Sequence, residues 1–397
     1  MSLELTPRSE PGQRLLEGMA GHYPTLVAGV AKHDRDGTFP FETFEAFQKT
    51  GILAATVPVS LGGLGVDSIL DLTVAINRLG RIDGSVAIAA NMHLALTLVY
   101  ARVWETTPPS SRSNLAALHQ LLRRVGERSV TICCPASEPG TDLVHPATTA
   151  RRTESGWSLH GRKIFGTLAP IAQLFAVPVR VAQEGEDRIG FAFVPRESPG
   201  VTIGTEWNAL GMRATGSVDV AFDNCTVPAG YLLDLGAWGT WSPATLSTYA
   251  IANTPLLGGF LGIAEAARQH ALRAAGRSRG NVAEAVGRID LELAAMRALL
   301  ERTCIHLDRY VASGRLVGGS LTDAHTAMQD VQETKWWVNR KAIEVVDLAM
   351  QVAGGSGYME GNPLARLYRD VRAGPFMQPF GPLEAVEYIG RVSLGRI

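Results

Sequence analysis

Little in this sequence invites nucleic acid, metal or a phosphate loop. Lys plus Arg number 37 against 38 for Asp plus Glu, a net charge of -1, which leaves no electrostatic footprint for nucleic acid or an anionic membrane. The four cysteines, Cys133, Cys134, Cys225 and Cys304, contain no CxxC pair, so a zinc site and a redox dithiol are both disfavoured. They read as reduced thiols of a cytoplasmic protein, and no metal site is expected. Neither GxGxxG nor GxxxxGK[ST] occurs; GGLG (62–65) and GGSGYMEG (354–361) fit neither pattern. Long clean apolar runs are missing too. The most apolar stretch, SVAIAANMHLALTLVYARVW (85–104), carries Asn91 and His93 in its middle and falls short of about 20 uninterrupted apolar residues, so it reads as a buried helix and not a membrane span. The start, MSLELTPRSEPGQ, has no basic stretch leading into an apolar one, and no signal peptide is expected.

What is present falls into three textures. Residues 11–127 carry helical periodicity, with Asp, Ser or Pro near the starts and Gly or Pro near the ends. EGMAGHYPTLVAGVAKHDRDG reads as one helix, and the stretch as a whole as about five. Between 129 and 233 come short β-branched and aromatic runs such as SVTICCPA, LFAVPVRVA and IGFAFVP, with turn signals at TESGW and QEGEDR. These suggest a small barrel or sandwich. From 240 onward three long helical patterns return, of a length suited to a bundle. The expected fold is therefore α+β, mainly α: an N-terminal helical domain (1–128), a middle β-domain (129–234) and a C-terminal helical bundle of four-helix type (235–397).

Five segments in this order carry a resemblance: PVSLGGLG (58–65), CCPASEPGTDL (133–143), LHGRKIFGTLA (159–169), NALGMRATGSVDVAFDNCTVPAGYLL (208–233) and MQVAGGSGYMEGNPLARLYRDVRA (350–373). Together they resemble the acyl-CoA dehydrogenase superfamily over nearly the whole chain. The resemblance implies a flavin cofactor, a substrate that is an acyl thioester or related small molecule, an electron-transfer flavoprotein or a flavin reductase as redox partner, and a homodimer or homotetramer. It places Ser137 at the pyrimidine edge of the ring, Thr167 near its N5, and Cys134, Ala136, Phe165 and Gly166 in the neighbouring backbone contacts. Taken alone, Ser137 and Thr167 read as ordinary strand-end hydroxyls. Gln351 and Gly355 fall where the family's last long helix meets a flavin held by a neighbouring subunit; read by themselves they belong to a glycine-rich helix C-cap. The family's Arg-x-x-Phe-Gly clamp on the FAD pyrophosphate is replaced by AAGRSRGNVAEAVGRIDL (274–291), with arginines but no Phe-Gly. FMN is accordingly an alternative to FAD.

Dehydrogenation in this family needs a carboxylate to take the α-proton, and such a base is typically worth about 10²- to 10⁴-fold in rate. Counting eight residues from Asp370 gives Gln378, and counting back from the C-terminus gives Pro379. The second location used in the family falls near Ala252, and no Asp or Glu occurs between 235 and 264. Glu384 and Glu387 follow Pro382 and read as first-turn acids of a helix. His93 has two readings: a core histidine, or, by resemblance to the superfamily's flavin monooxygenases, an imidazole that donates to a flavin hydroperoxide or takes a proton from a hydroxyl or amine substrate. Three functions remain open: an oxidoreductase on an acyl thioester without ordinary fatty acyl-CoA dehydrogenation, a two-component flavin monooxygenase, and a non-redox elimination enzyme or inactive subunit.

Overall fold

The computed structural model describes residues 4–183, 185–276 and 282–397; Arg277 and its neighbours to Asn281, within the stretch expected to replace the pyrophosphate clamp, lie outside them. The N-terminal helices are α1 (Glu10–Ala20), α2 (Tyr23–Asp36), α3 (Phe41–Thr50), α4 (Ile69–Gly80), α5 (Gly84–Thr106) and α6 (Ala116–Gly126). The segment read from sequence as one helix over 17–37 is two, because α1 stops at Gly21 and α2 restarts at Tyr23 with Pro24 in its first turn, where proline's missing N–H costs nothing. Helix α5 is buried around most of its circumference, as a core helix should be. Asp83 starts it by accepting from the Ser85 and Val86 amides.

Eight strands follow: β1 (Ile132–Cys133), β2 (Thr149–Thr153), β3 (Gly156–Gly166), β4 (Leu174–Ala182), β5 (Arg188–Pro195), β6 (Val201–Ile203), β7 (Val218–Pro228) and β8 (Leu232–Ala237). They form one sheet in the order β6-β7-β3-β2-β4-β5-β8, with β1 parallel to β4. Phe175 of β4 meets Phe222 of β7 edge-on at 6.5 Å, although two strands separate them in the sheet, so the sheet curls over an interior of its own. β4 is buried on both faces. Phe175, Val177 and Val179 point into that interior, while Leu174 and Ala176 pack with Phe191 and Phe193 against Tyr100, Leu118 and Leu122 of α5 and α6.

The chain then returns to helices α7 (Pro243–Ala275), α8 (Ala283–Ala312), α9 (Arg315–Gly318), α10 (Leu321–Ala353), α11 (Pro363–Val371) and α12 (Pro382–Ser393). These share one core with the N-terminal helices. The closest approach is between α4 and α7: a Cβ on Gly258 would lie 2.3 Å from the Thr73 carbonyl oxygen, and one on Gly80 2.3 Å from that of Gly259. Only glycine permits such backbone contact. The sheet is thus inserted between two halves of one helical body, and its β3 end, its long loops and α11 converge on the helices at one place.

Candidate functional site

At that place lies a cavity of about 400 Å³. One wall belongs to the sheet and its loops: Cys134, Ala136, Ser137, Phe165, Thr167, Trp207, Thr215 and Ser217. The facing wall is helical, with Ile88, Asn91 and Met92 from α5 and Thr248, Tyr249, Ala252 and Leu256 from α7. Arg369, Arg372, Phe376, Met377 and Gln378 close the rim.

The sheet wall is held by a buried ion pair. Lys163 Nζ sits 2.7 Å from Glu138 Oε1, and Glu138 also accepts from the Thr148 amide at 2.8 Å, the Thr148 hydroxyl and the Ala147 amide. Burial pushes the Glu138 carboxyl up, yet the Lys163 charge and these donors outweigh it and hold it below its usual range. The segment carrying Ser137 is thereby pinned to β3, where the Ile164 amide donates to the Ser137 carbonyl at 2.9 Å. Backbone strain collects beside the cavity: Phe165, Leu168 and Met212 have φ of 56°, 73° and 53°, a region that non-glycine residues enter at a cost. The Phe165 turn lifts its ring out of the wall, 54% exposed and edge-on to Trp207 at 5.9 Å.

Behind Thr167 runs a chain of hydroxyls. Thr167 Oγ1 is 2.8 Å from Ser217 Oγ, which is 2.6 Å from Thr215 Oγ1, and Thr215 donates to the Met212 carbonyl at 3.0 Å. A carbonyl can only accept, and each hydroxyl has one proton. Thr215 therefore points its proton at Met212, Ser217 at Thr215, and Thr167 at Ser217. Thr167 is left with lone pairs for whatever lies beside it.

The rim is held from α10. Lys335 Nζ donates to the Phe380 carbonyl at 2.6 Å and to that of Met377, and Asn339 Nδ2 to that of Gly374 at 2.8 Å. Burial lowers the Lys335 ammonium to about 8. The loop so held carries Gln378, whose Nε2 donates to Ser137 Oγ at 2.7 Å and joins rim to sheet wall. Arg369 is paired with Asp34 at 2.5 Å and Arg372 with Asp347 at 2.9 Å. Asp370 Oδ1 accepts from the Met212 amide at 2.7 Å, docking α11 onto the strained loop. Among the described residues, those lining the cavity include no Asp, Glu, His or Lys.

Of the residues singled out from sequence, Cys134, Ala136, Ser137, Phe165, Thr167 and Gln378 all line this cavity. Burial pushes the Cys134 thiol up to about 12, so it stays protonated. Gly166 is buried between Phe165 and Thr167 and is not on the lining. Gln351 and Gly355 are exposed at the far end of α10, away from the cavity, where Gly354 closes the helix by donating its amide to the Gln351 carbonyl. Glu384 accepts from the Gly381 amide at 2.8 Å and caps α12.

The catalytic reading of His93 is corrected. His93 is fully buried and does not line the cavity; its Nε2–H donates to the Leu53 carbonyl at 2.7 Å and its Nδ1 accepts from the Ile132 amide at 3.0 Å. Both nitrogens are thus occupied by backbone, and burial lowers the imidazole to about 4. It ties α5 to β1 as a neutral ring. Sequence reasoning missed Asn91, Thr215, Ser217 and Lys335. Of these only Thr215 and Ser217 had a visible signal, since they sit inside the MRATGS segment that carried the resemblance.

A flavin ring suits this cavity. Its walls are apolar enough for a flat aromatic system, while Ser137 and the Thr167 hydroxyl chain offer polar contacts to one edge and the turn at Phe165 exposes backbone beside them. Similarity to known proteins agrees. The sequence matches the N-terminal, middle and C-terminal domains of acyl-CoA dehydrogenases over residues 24–102, 133–225 and 256–384. It is 35% identical to the amino sugar nitrososynthase DnmZ of Streptomyces peucetius, across 98% of this chain and 95% of that one, and 36% identical to an L-evernosamine nitrososynthase of a Micromonospora species, across 98% and 92%. The crystal structure of KijD3 with FMN and dTDP-3-amino-2,3,6-trideoxy-4-keto-3-methyl-D-glucose superposes with a TM-score of 0.92 at 34% identity, covering 99% of this chain and 96% of that one. By sequence, fold and site, the chain belongs to the acyl-CoA dehydrogenase superfamily and is a flavin-dependent oxidoreductase.

Proposed function

We propose that this protein is a flavin monooxygenase that oxidises the amino group of a nucleotide-linked sugar, in the manner named for its nitrososynthase relatives. The observation that carries the reading is the cavity lining itself, which among the described residues holds no carboxylate, imidazole or amine to remove an α-proton. At the position expected for the base stands Gln378, an amide already donating to Ser137. The second family location is Ala252, a methyl group on the α7 wall. An amine needs no such base, because its nitrogen lone pair is the nucleophile once the amine is neutral. An apolar enclosure favours that neutral form.

Reduced flavin, when bound, supplies two electrons, so that one atom of O₂ is transferred to nitrogen and the other leaves as water. The protein's residues shape the space around that exchange. Gln378 and Lys335 hold the rim against the sheet wall, Met377 lines it, and Tyr249 stays protonated because burial pushes its phenol up. Arg369 and Arg372 stand at the mouth paired with the carboxylates of Asp34 and Asp347. FMN fits the missing Phe-Gly clamp and the KijD3 complex, and a separate flavin reductase would supply it in reduced form, since the sequence has no dinucleotide fingerprint.

The test is direct. Purified protein is given reduced FMN, air and the KijD3 ligand, and the product is read by mass. Gain of oxygen at nitrogen supports the reading. Anaerobic bleaching of bound oxidised flavin by a saturated acyl-CoA, with no change to the amino sugar in air, would sink it in favour of dehydrogenation.

A further inference from the structure

Asn91 stands on the helical wall of the cavity, 1% exposed. Its Nδ2 donates to the Ala252 carbonyl at 3.3 Å. Because that carbonyl can only accept, the amide's orientation is fixed, with nitrogen towards α7 and oxygen away from it. The oxygen is buried and has no partner among the described residues. Buried acceptors without a donor are rare in folded proteins and costly, and they call for a reason. Tying α5 to α7 beside Pro255 is not a sufficient one, since that role uses only the nitrogen. Gln378 has Ser137, and Thr167, Ser217 and Thr215 have one another; the other buried lining atom without a partner among the described residues is Arg372 Nε, a donor on a side chain already paired with Asp347, so Asn91 Oδ1 is the unpaired acceptor.

We propose that Asn91 is a specificity-determining residue whose Oδ1 accepts a hydrogen bond from the amino group of the substrate. This rests on the amine-oxidation reading and says which residue recognises the amine. The acceptor is uncharged, so it holds a neutral amine without favouring its protonated form, and the nitrogen keeps its lone pair free for oxidation. An amine N–H satisfies the oxygen, whereas a hydrogen or methyl at the same carbon leaves it orphaned. The site therefore penalises sugars lacking the amine as well as rewarding those that have it.

The experiment measures binding by calorimetry in the presence of oxidised FMN, where no turnover occurs. The ligands are the amino sugar of the KijD3 complex and its counterpart with hydrogen in place of the amine. Wild type is expected to favour the amino sugar by about tenfold or more, the size of a neutral hydrogen bond plus relief of an orphaned acceptor. Asn91→Leu, which removes the oxygen and fills its space with carbon, is expected to erase that preference, leave FMN affinity unchanged and raise the melting temperature of the ligand-free protein. Asn91→Asp, neutral when buried, keeps one donor for Ala252 and one acceptor, and should restore most of the preference. An Asn91→Leu protein that still prefers the amine overturns the inference alone. Loss of FMN and of both sugars together overturns it too, by assigning the oxygen to the flavin. A wild type that binds both sugars equally overturns the inference as well, and leaves the amine-oxidation reading to the product analysis in air.

Discussion

An imidazole placed between a carbonyl and an amide, as His93 is, makes stability depend on acid. In the unfolded chain a histidine takes up its proton near pH 6.5, but in the fold His93 does so only near pH 4, because burial disfavours its charged form. Between those values the unfolded state holds more protons. The contribution is therefore fully present above about pH 6.5 and is lost as pH falls towards 4, in total about 3 kcal/mol, of which about 2 kcal/mol is gone by pH 5. His93→Gln should be less stable than wild type at pH 7 and lose less stability between pH 7 and 5; urea unfolding at the two values checks this. The hydroxyl chain gives a second outcome. Ser217→Ala cuts it between Thr167 and Thr215 and should weaken flavin binding roughly fivefold, about 1 kcal/mol, with little change in melting temperature, as fluorescence titration would show. Six of the ten residues chosen from sequence meet at the cavity because they lie on segments whose backbone shape is local. His93 could not be judged in the same way: which side of α5 faces the flavin depends on α7 and β1, and the apolar residues all round that helix give no preferred face. Asn91, two residues earlier, reaches the cavity beside Ile88 and Met92.

At the scale of elements, the α4–α7 contact is a tight constraint between the two helical halves. Gly258→Ala would put a methyl carbon 2.3 Å from the Thr73 carbonyl oxygen, and neither backbone can retreat without opening the core around Leu72, Ile76 and Leu261. A loss of about 2 kcal/mol or more is expected, read as a lower melting temperature with the flavin site otherwise intact. The helical and β textures were legible from periodicity, and so were the hairpin at Glu154 and Ser155 and the cap at Glu384. The break at Gly21 was not, because the apolar positions continue in phase across it. Nor was the curl of the sheet, which depends on Phe175 meeting Phe222, a contact 47 residues apart that no local pattern contains.

At the scale of the molecule, a single chain leaves Tyr358, Met359 and Leu383 exposed at 83%, 64% and 88%. The first two lie just beyond Gln351 and Gly355, in the 3₁₀ turn and loop that follow α10. Exposed apolar groups beside residues that resemble a flavin-binding helix end suit burial against a second copy. Light scattering is expected to give a dimer or tetramer, and Gln351→Ala is expected to weaken flavin binding although its side chain lies outside its own chain's cavity. A monomer that binds flavin normally would remove that expectation.

The sharing of one core by helices on either side of the sheet also bears on how the chain is made. The most apolar 18-residue window of the 23-residue helix α5 has a mean hydropathy of 1.5, and 83% of it is buried in the finished fold. Much of what covers it is α7, which starts at Pro243. During synthesis α5 leaves the ribosome well over a hundred residues before its cover does, and the sheet emerges in between. For that interval the nascent protein displays a greasy helix long enough to be mistaken for a membrane anchor, and it is then that chaperones have most to protect.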